Sequence, residues 1–273
     1  MKRSRRSQGI LLYVATAVLL LIIVAPIIMI VILSFTSGTS LQFPPPGWSL
    51  RWYYSVWDLL NPLTHSAERM REALSTSFLI GALTAAVATL VGLPAAYALV
   101  RLQFPGKLLV EQLVTMPLVF PLVVLGVALL VMISELRLEM GFLRIVVAHV
   151  IITMPFVVRN CAASLAGIDL SLEEAAVCLG ANRLRMYYEI VLPLVRPGVV
   201  AGVLLAFIIS FNEFTVSYFL YTVNVFPFPI WLFTKSNSSL DPTIFAVSTL
   251  IIVFDAFLIW VIDRVIGKQE VLF

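Results

Sequence analysis

Long apolar runs separated by short polar stretches organise this chain. The first runs from Ile10 to Phe35, behind Lys2, Arg3, Arg5 and Arg6, and five more follow at about 74–100, 108–133, 141–158, 197–221 and 244–266. An α-helix needs about 17–25 predominantly apolar residues to cross a bilayer. The pattern therefore predicts an all-α, polytopic membrane bundle of six transmembrane helices, read as one domain over 1–273. The first run exceeds the ~7–15-residue apolar core of a signal peptide and no small-x-small cleavage site follows it, so a retained span is expected. Pro26 within it is no obstacle, because proline is tolerated in membrane helices.

The stretches between the runs differ in character. In the first long one, Pro44-Pro45-Pro46 predicts a stiff extended piece. Leu50 to Trp57 then reads as an interfacial amphipathic helix, since Trp and Tyr favour the headgroup level. An aromatic cage for a cation is the competing reading. In the second run Gly81, Ala85, Ala88, Gly92 and Ala96 recur every three or four residues, which predicts a face of close helix approach. Met116-Pro117 and Pro121 are points where the third run can bend. Glu135, Arg137 and Glu139 mark the loop after it. The stretch 222–243 has enough apolar content to predict a folded cap or re-entrant piece.

The longest polar interruption of the second half, 172–198, carries Glu173, Glu174, Arg183, Arg185, Glu189 and Arg196. It reads as two short helices at a membrane surface. Ser171 is placed to cap the first, with Glu174 completing a capping box. Gly180 supplies the turn, Asn182 caps the second helix, and Pro193 and Pro197 end the run.

Composition sharpens this picture. Of 273 residues, 61% are hydrophobic and 12% charged, with a mean hydropathy of +1.03; soluble domains hold about 45–50% apolar and about 25% charged residues. The net charge of +3 is no nucleic-acid footprint, and its distribution is what informs. Twelve Lys and Arg fall on alternate segments (2–6, 101–107, 159–196, 264–268), against six on the others: Arg51, Arg69, Arg71, Arg137, Arg144 and Lys235. The positive-inside rule then puts both termini and the 172–198 stretch in the cytoplasm. Cys161 and Cys178 lie on that side and are expected to be free thiols. No phosphate-binding loop is present: Lys107 and Lys268 each follow a glycine, but the earlier glycine is missing.

Glu174-Ala175-Ala176, three residues, Gly180, nine residues, then Ile190-x-Leu192-Pro193 resembles the EAA signature of bacterial ATP-binding cassette importer permeases, with all seven defining positions at the family's spacing. The resemblance implies a type I importer permease fold in the bacterial inner membrane, with this stretch as a cytoplasmic coupling helix. It also implies two ATP-hydrolysing subunits beneath, a second homologous permease and an extracytoplasmic substrate-binding protein. ATP and magnesium would sit on the partner ATPases, leaving this chain a non-catalytic subunit without a cofactor.

Ionisable groups inside spans are costly and mark candidate pathways. Glu213, beside Asn212 and sixteen residues past Pro197, is placed about 24 Å above the cytoplasmic end of its span. Its carboxylate can draw a cation, with Tyr218 and Phe219 as aromatic walls, or bond a neighbouring helix. Asp255, midway along the sixth run, and His149 read first as helix–helix contacts. The chain has no metal-ligand spacing and no activated nucleophile. Ser210-Phe211-Asn212-Glu213-Phe214-Thr215-Val216 with Phe219-Leu220, then Pro229-Ile230-Trp231, Asp241-Pro242-Thr243 and Ala246 to Leu250, resembles the spermidine/putrescine-type permeases. That subfamily commonly has an aspartate where Asn212 stands. The resemblance implies a polyamine or similar amine as cargo, with aminophosphonate, ferric ion and thiamine as alternatives. An ion-coupled carrier using Glu213 and Asp255 is the rival mechanism.

Overall fold

A computed structural model describes residues 2–61, 69–137, 140–239 and 241–266, with side chains from Leu12 onward. Glu139 and Lys268 lie outside the described residues. Helices account for most of the described chain, and the only strand-like pairings among those residues are two isolated bridges, Thr36 with Trp48 and Thr222 with Val225. Among the described residues, five helices are long and apolar enough to span a membrane, or six when one bent pair counts as a single span.

Contacts group the chain into two units. The first combines Met1–Glu68 with Leu232–Phe254. It holds α1 (Lys2–Ser34) and α2 (Arg51–Leu60). Trp52 is buried and its indole N–H donates to the Thr36 carbonyl at 2.8 Å, while Ser34 and Tyr53 share a hydrogen bond of 2.8 Å. Tyr54 and Trp57 point outward. The polar edge of an aromatic is satisfied while other rings stay exposed, which suits a helix at the headgroup level better than an enclosed cage.

The second unit, Arg69–Trp231 with Asp255–Phe273, holds the packed bundle. Its centre is α3 (Met70–Arg101), α6 (Leu143–Ala166) and α9 (Leu192–Asn212). The small face of α3 is buried as its spacing predicts: Gly81, Ala85, Ala88, Gly92 and Ala96 all lie inside. Val157 of α6 fills the space that glycines leave on both neighbours. A Cβ at Gly92 would stand 2.9 Å from its Cγ1, and one at Gly202 would stand 3.2 Å from its Cα. Apolar side chains offer no hydrophobic gain against lipid, so close backbone approach is what binds such helices.

The predicted spans need four corrections. The third run is not one helix: α4 (Lys107–Thr115), a 3-10 turn (Met116–Leu118) and α5 (Leu122–Glu135) form arms bent by 105°. Pro117 and Pro121 lack N–H donors; Met116 keeps a helical backbone (φ −52, ψ −42), and the chain leaves the helical path at Pro121 (φ −59, ψ 127). The fourth helix continues to Ala166 rather than stopping at 158, with Asn160 bonding the Phe156 carbonyl on its own helix. The fifth begins at Leu192, so Pro193 and Pro197 do not end the run; they lie in the first turns of α9. A wide π turn, Tyr187–Val191, leads into it, bonding the Leu192 N–H to the Tyr187 carbonyl. That register carries the chain past Pro193 without the donor proline lacks. Finally, α9 stops at Asn212, Glu213 is extended (φ −73, ψ 111), and a separate α10 (Thr215–Leu220) follows. The predicted cap contains α11 (Phe228–Ser238), and α12 (Thr243–Ile266) matches the sixth run.

Candidate functional site

The EAA-like stretch folds as an elbow. Its first arm, α7 (Leu170–Cys178), is capped by Asp169, whose carboxylate accepts the Ser171 N–H at 2.9 Å. Ser171 is thus inside the helix and is not the cap its spacing with Glu174 suggested; the aspartate two residues earlier reaches the same orphan donors. The Ser171 backbone and side-chain hydrogen bonds hold the Asp169 carboxyl below its ordinary range. At the other end Gly180 has φ +92, with its N–H bonded to Val177 O (2.9 Å) and the Ala181 N–H to Ala176 O (3.0 Å). Those two bonds form a Schellman ending, which requires a left-handed residue at the glycine. Asn182 then caps α8 (Arg183–Met186), accepting the Arg185 N–H at 2.8 Å as predicted.

Helical phase sorts the motif residues. Glu174 and Ala175 face outward and Ala176 is buried. Ile190 is half-buried, and Leu192 and Pro193 start α9. Leu172, Val177, Leu179, Leu184 and Tyr188 are exposed around them, Leu179 at 89%. Between the arms lies a pocket of ≈ 440 Å³ lined by Glu173, Glu174, Val177, Cys178 and Met186. An exposed apolar rim around a notch with a carboxylate is a docking surface in form.

Glu173, one residue before the motif, points the other way. It is buried and takes a hydrogen bond from Arg101 Nε at 2.7 Å and another from the Tyr97 hydroxyl at 2.9 Å. Arg101 also donates to the Ile168 carbonyl at 2.8 Å. Sequence reading did not pick out Arg101 or Tyr97. Their i, i+4 spacing at the end of the second run was the available signal.

At the upper end of the bundle, the predicted pathway residues separate into two groups. Asn212 donates to Asp255 Oδ2 at 3.0 Å and to the Ile208 carbonyl at 3.0 Å, joining α9 to α12. Asp255 Oδ1 is buried and has no hydrogen-bond partner among the described residues. Glu213 does not join them. It is 8% exposed, and its Oε2 accepts the Val216 N–H at 3.0 Å, so its carboxylate caps α10 across the break. Tyr218 is exposed beside Phe214 (5.5 Å) and Tyr221 (6.0 Å). His149 is buried between Ser210 (2.8 Å) and Ser217 (3.1 Å), tying α6 to both sides of the break. Among the described residues, no group of three or more His, Cys, Asp or Glu is placed to hold a metal.

A family model described as "Binding-protein-dependent transport system inner membrane component" matches residues 88–268. The putrescine transport system permease protein PotI of Escherichia coli (strain K12) is 34% identical over 235 residues, 84% of this chain and 80% of that protein. The spermidine/putrescine transport system permease protein PotC of the same strain is 28% identical over 248 residues, 90% of this chain and 89% of that protein. Among solved structures, a bacterial ABC transporter involved in the import of the acidic polysaccharide alginate aligns with a TM-score of 0.66 at 20% identity, covering 97% of each chain.

Proposed function

Because this chain belongs to the binding-protein-dependent transport system inner membrane components, the non-catalytic permease subunits of ATP-binding cassette importers, we propose that it forms one half of an inner-membrane pathway for a polyamine such as putrescine or spermidine. In this reading residues 1–273 act as one permease domain with both termini in the cytoplasm. A homologous permease supplies the other half of the pathway. Of the two ATPase subunits, one docks on this chain's α7–α8 elbow and the other on the partner permease, and a binding protein delivers cargo from outside.

The observation that carries the reading is the elbow itself. It combines the complete EAA spacing with an exposed apolar rim, an outward Glu174 and a Schellman turn that fixes the angle between its arms. A surface of that kind is costly in water unless a partner covers it. ATP binding shifts the pathway between inward- and outward-facing states to the extent that the ATPases hold the elbow more tightly in one of them. The substrate class is supported by the putrescine and spermidine/putrescine transporters to which PotI and PotC belong by name. It is also supported by Asp255, whose free carboxylate oxygen beside Asn212 suits an ammonium, and by the aromatic group around Tyr218.

The test is uptake into proteoliposomes holding this permease, its genetic neighbours' permease and ATPase, and the cognate binding protein. Labelled putrescine and spermidine are expected to accumulate only with ATP and binding protein present. Uptake driven by an ion gradient without the ATPase would overturn the importer mechanism. ATP-driven uptake of ferric ion, thiamine or an aminophosphonate, without polyamine uptake, would overturn the cargo.

A further inference from the structure

The elbow is joined to the bundle twice. One joint is covalent, through α6 before it and α9 after it. The other is the buried cluster of Glu173, Arg101 and Tyr97, which clasps α7 to the cytoplasmic end of α3. Both oxygens of Glu173 are engaged, one by Arg101 Nε at 2.7 Å and the other by the Tyr97 hydroxyl at 2.9 Å. Arg101 is the last residue of α3, and its Nη2 holds the Ile168 carbonyl in the turn that leads into α7. Tyr97 also meets Tyr187 edge to face at 5.4 Å, at the start of the π turn. Both members of the ion pair are shielded, with side chains only 12% and 6% exposed. By contrast, the outer pair of the elbow, Arg185 with Glu189, is 66% and 60% exposed and contributes little.

We propose that Glu173 is a positioning residue for coupling: through Arg101 and Tyr97 it makes α3 follow α7 when the ATPases pull on the elbow. This rests on the importer reading above. A chain connection alone leaves α7 free to pivot about the turn at Gly167–Asp169 and about the π turn. The clasp removes that freedom, because a shift of α7 cannot proceed independently of α3 without exposing a buried charge, and an unpaired buried charge is strongly unfavourable. The adjacent glutamates thus divide the labour, Glu174 facing the partner and Glu173 facing the bundle.

The experiment uses the assembled importer in proteoliposomes. A nitroxide at Ser75→Cys, an exposed position near the far end of α3, is introduced with Cys161 and Cys178 replaced by serine. ATP hydrolysis, polyamine uptake and the change in the Ser75 label on trapping with ATP and vanadate are recorded together. E173Q is expected to lower uptake per ATP hydrolysed about tenfold, as for loss of a charged hydrogen bond, and to abolish the label's response. Y97F, which removes one hydrogen bond and no charge, should give a smaller loss in the same direction. The reversed pair R101E/E173R should recover part of the response. A full label response and normal uptake per ATP in E173Q overturn the proposal. So does a lower yield of E173Q without any change in the uptake ratio. If instead the parent protein shows no label response, or if G180V also leaves uptake intact, it is the importer reading of the elbow that fails.

Discussion

Gly180 offers the cleanest perturbation of the elbow, because its effect is free of packing. An added Cβ there meets nothing within 4 Å, whereas the backbone sits at φ +92. Substitution therefore changes only the cost of the left-handed conformation and whatever docks on it. For an L-residue that cost is about 1–2 kcal/mol, a factor of about 5–30 in the population of the native turn. Gly180→Asn should cost least, since asparagine visits this region more readily. Gly180→Ala should be intermediate and Gly180→Val worst, because a branched Cβ restricts the backbone further. The two bonds that end α7 report directly on the turn: the Gly180 and Ala181 amides should lose hydrogen-exchange protection in the same order. Uptake per ATP in proteoliposomes should fall in that order too, with membrane insertion unchanged. Equal uptake for Gly180→Val and the parent would refute the idea that the turn angle transmits force. So would a loss of uptake that does not track amide protection.

Three other outcomes are expected. Gly198→Ala should destabilise the bundle by about 1–3 kcal/mol through overpacking, since its Cβ would stand 2.5 Å from Ser164 Cβ and 2.6 Å from the Asn160 carbonyl; thermal unfolding in detergent measures this, and S164G should restore only part of it. Glu213→Gln should transport nearly as the parent does, because an amide oxygen still accepts the Val216 N–H, whereas Glu213→Ala should lose a cap worth about 0.5–2 kcal/mol; an uptake loss equal in both variants would show that the charge itself is needed. Burial pushes the Asp241 carboxyl up, but the Thr243 hydrogen bonds and the Lys235 ammonium at 3.3 Å outweigh this and hold it below its ordinary value of 3.8. Its stabilising contribution is therefore complete above that value and lost as pH falls through the lower folded one. Stability between pH 5 and about 2 should be less acid-sensitive in Asp241→Asn than in the parent.

What could be read in the chain depended on how local the determinant was. Six apolar runs and the seven EAA positions are local signals; five of the runs survive as helices long enough to span, the third breaks into two bent arms, and the EAA positions survive as an elbow. The small-residue face of α3 was equally legible, because Gly81 to Ala96 repeat at the helical period and small side chains have few other uses there. Breaks were harder. Proline at 117 and 121 announced a bend but not its angle, and nothing near Glu213 announced that α9 ends at Asn212. Pairings across the bundle were out of reach: Arg101 with Glu173 and Asn212 with Asp255 are brought together by helix packing alone. Asp169 was passed over for Ser171 because capping-box spacing fits the serine, and only the local backbone path decides between two adjacent polar caps.

The central claim is that the α7–α8 elbow faces the cytoplasm and is covered there by an ATPase. The chain carries its own probe, since Cys178 on the elbow is exposed and Cys161 is buried. A membrane-impermeant maleimide applied to inside-out and right-side-out vesicles reads the orientation directly. Cys178 should label only in inside-out vesicles, and the assembled ATPase should protect it. Labelling from the right-side-out face, or labelling from inside that the ATPase does not slow, would contradict the account.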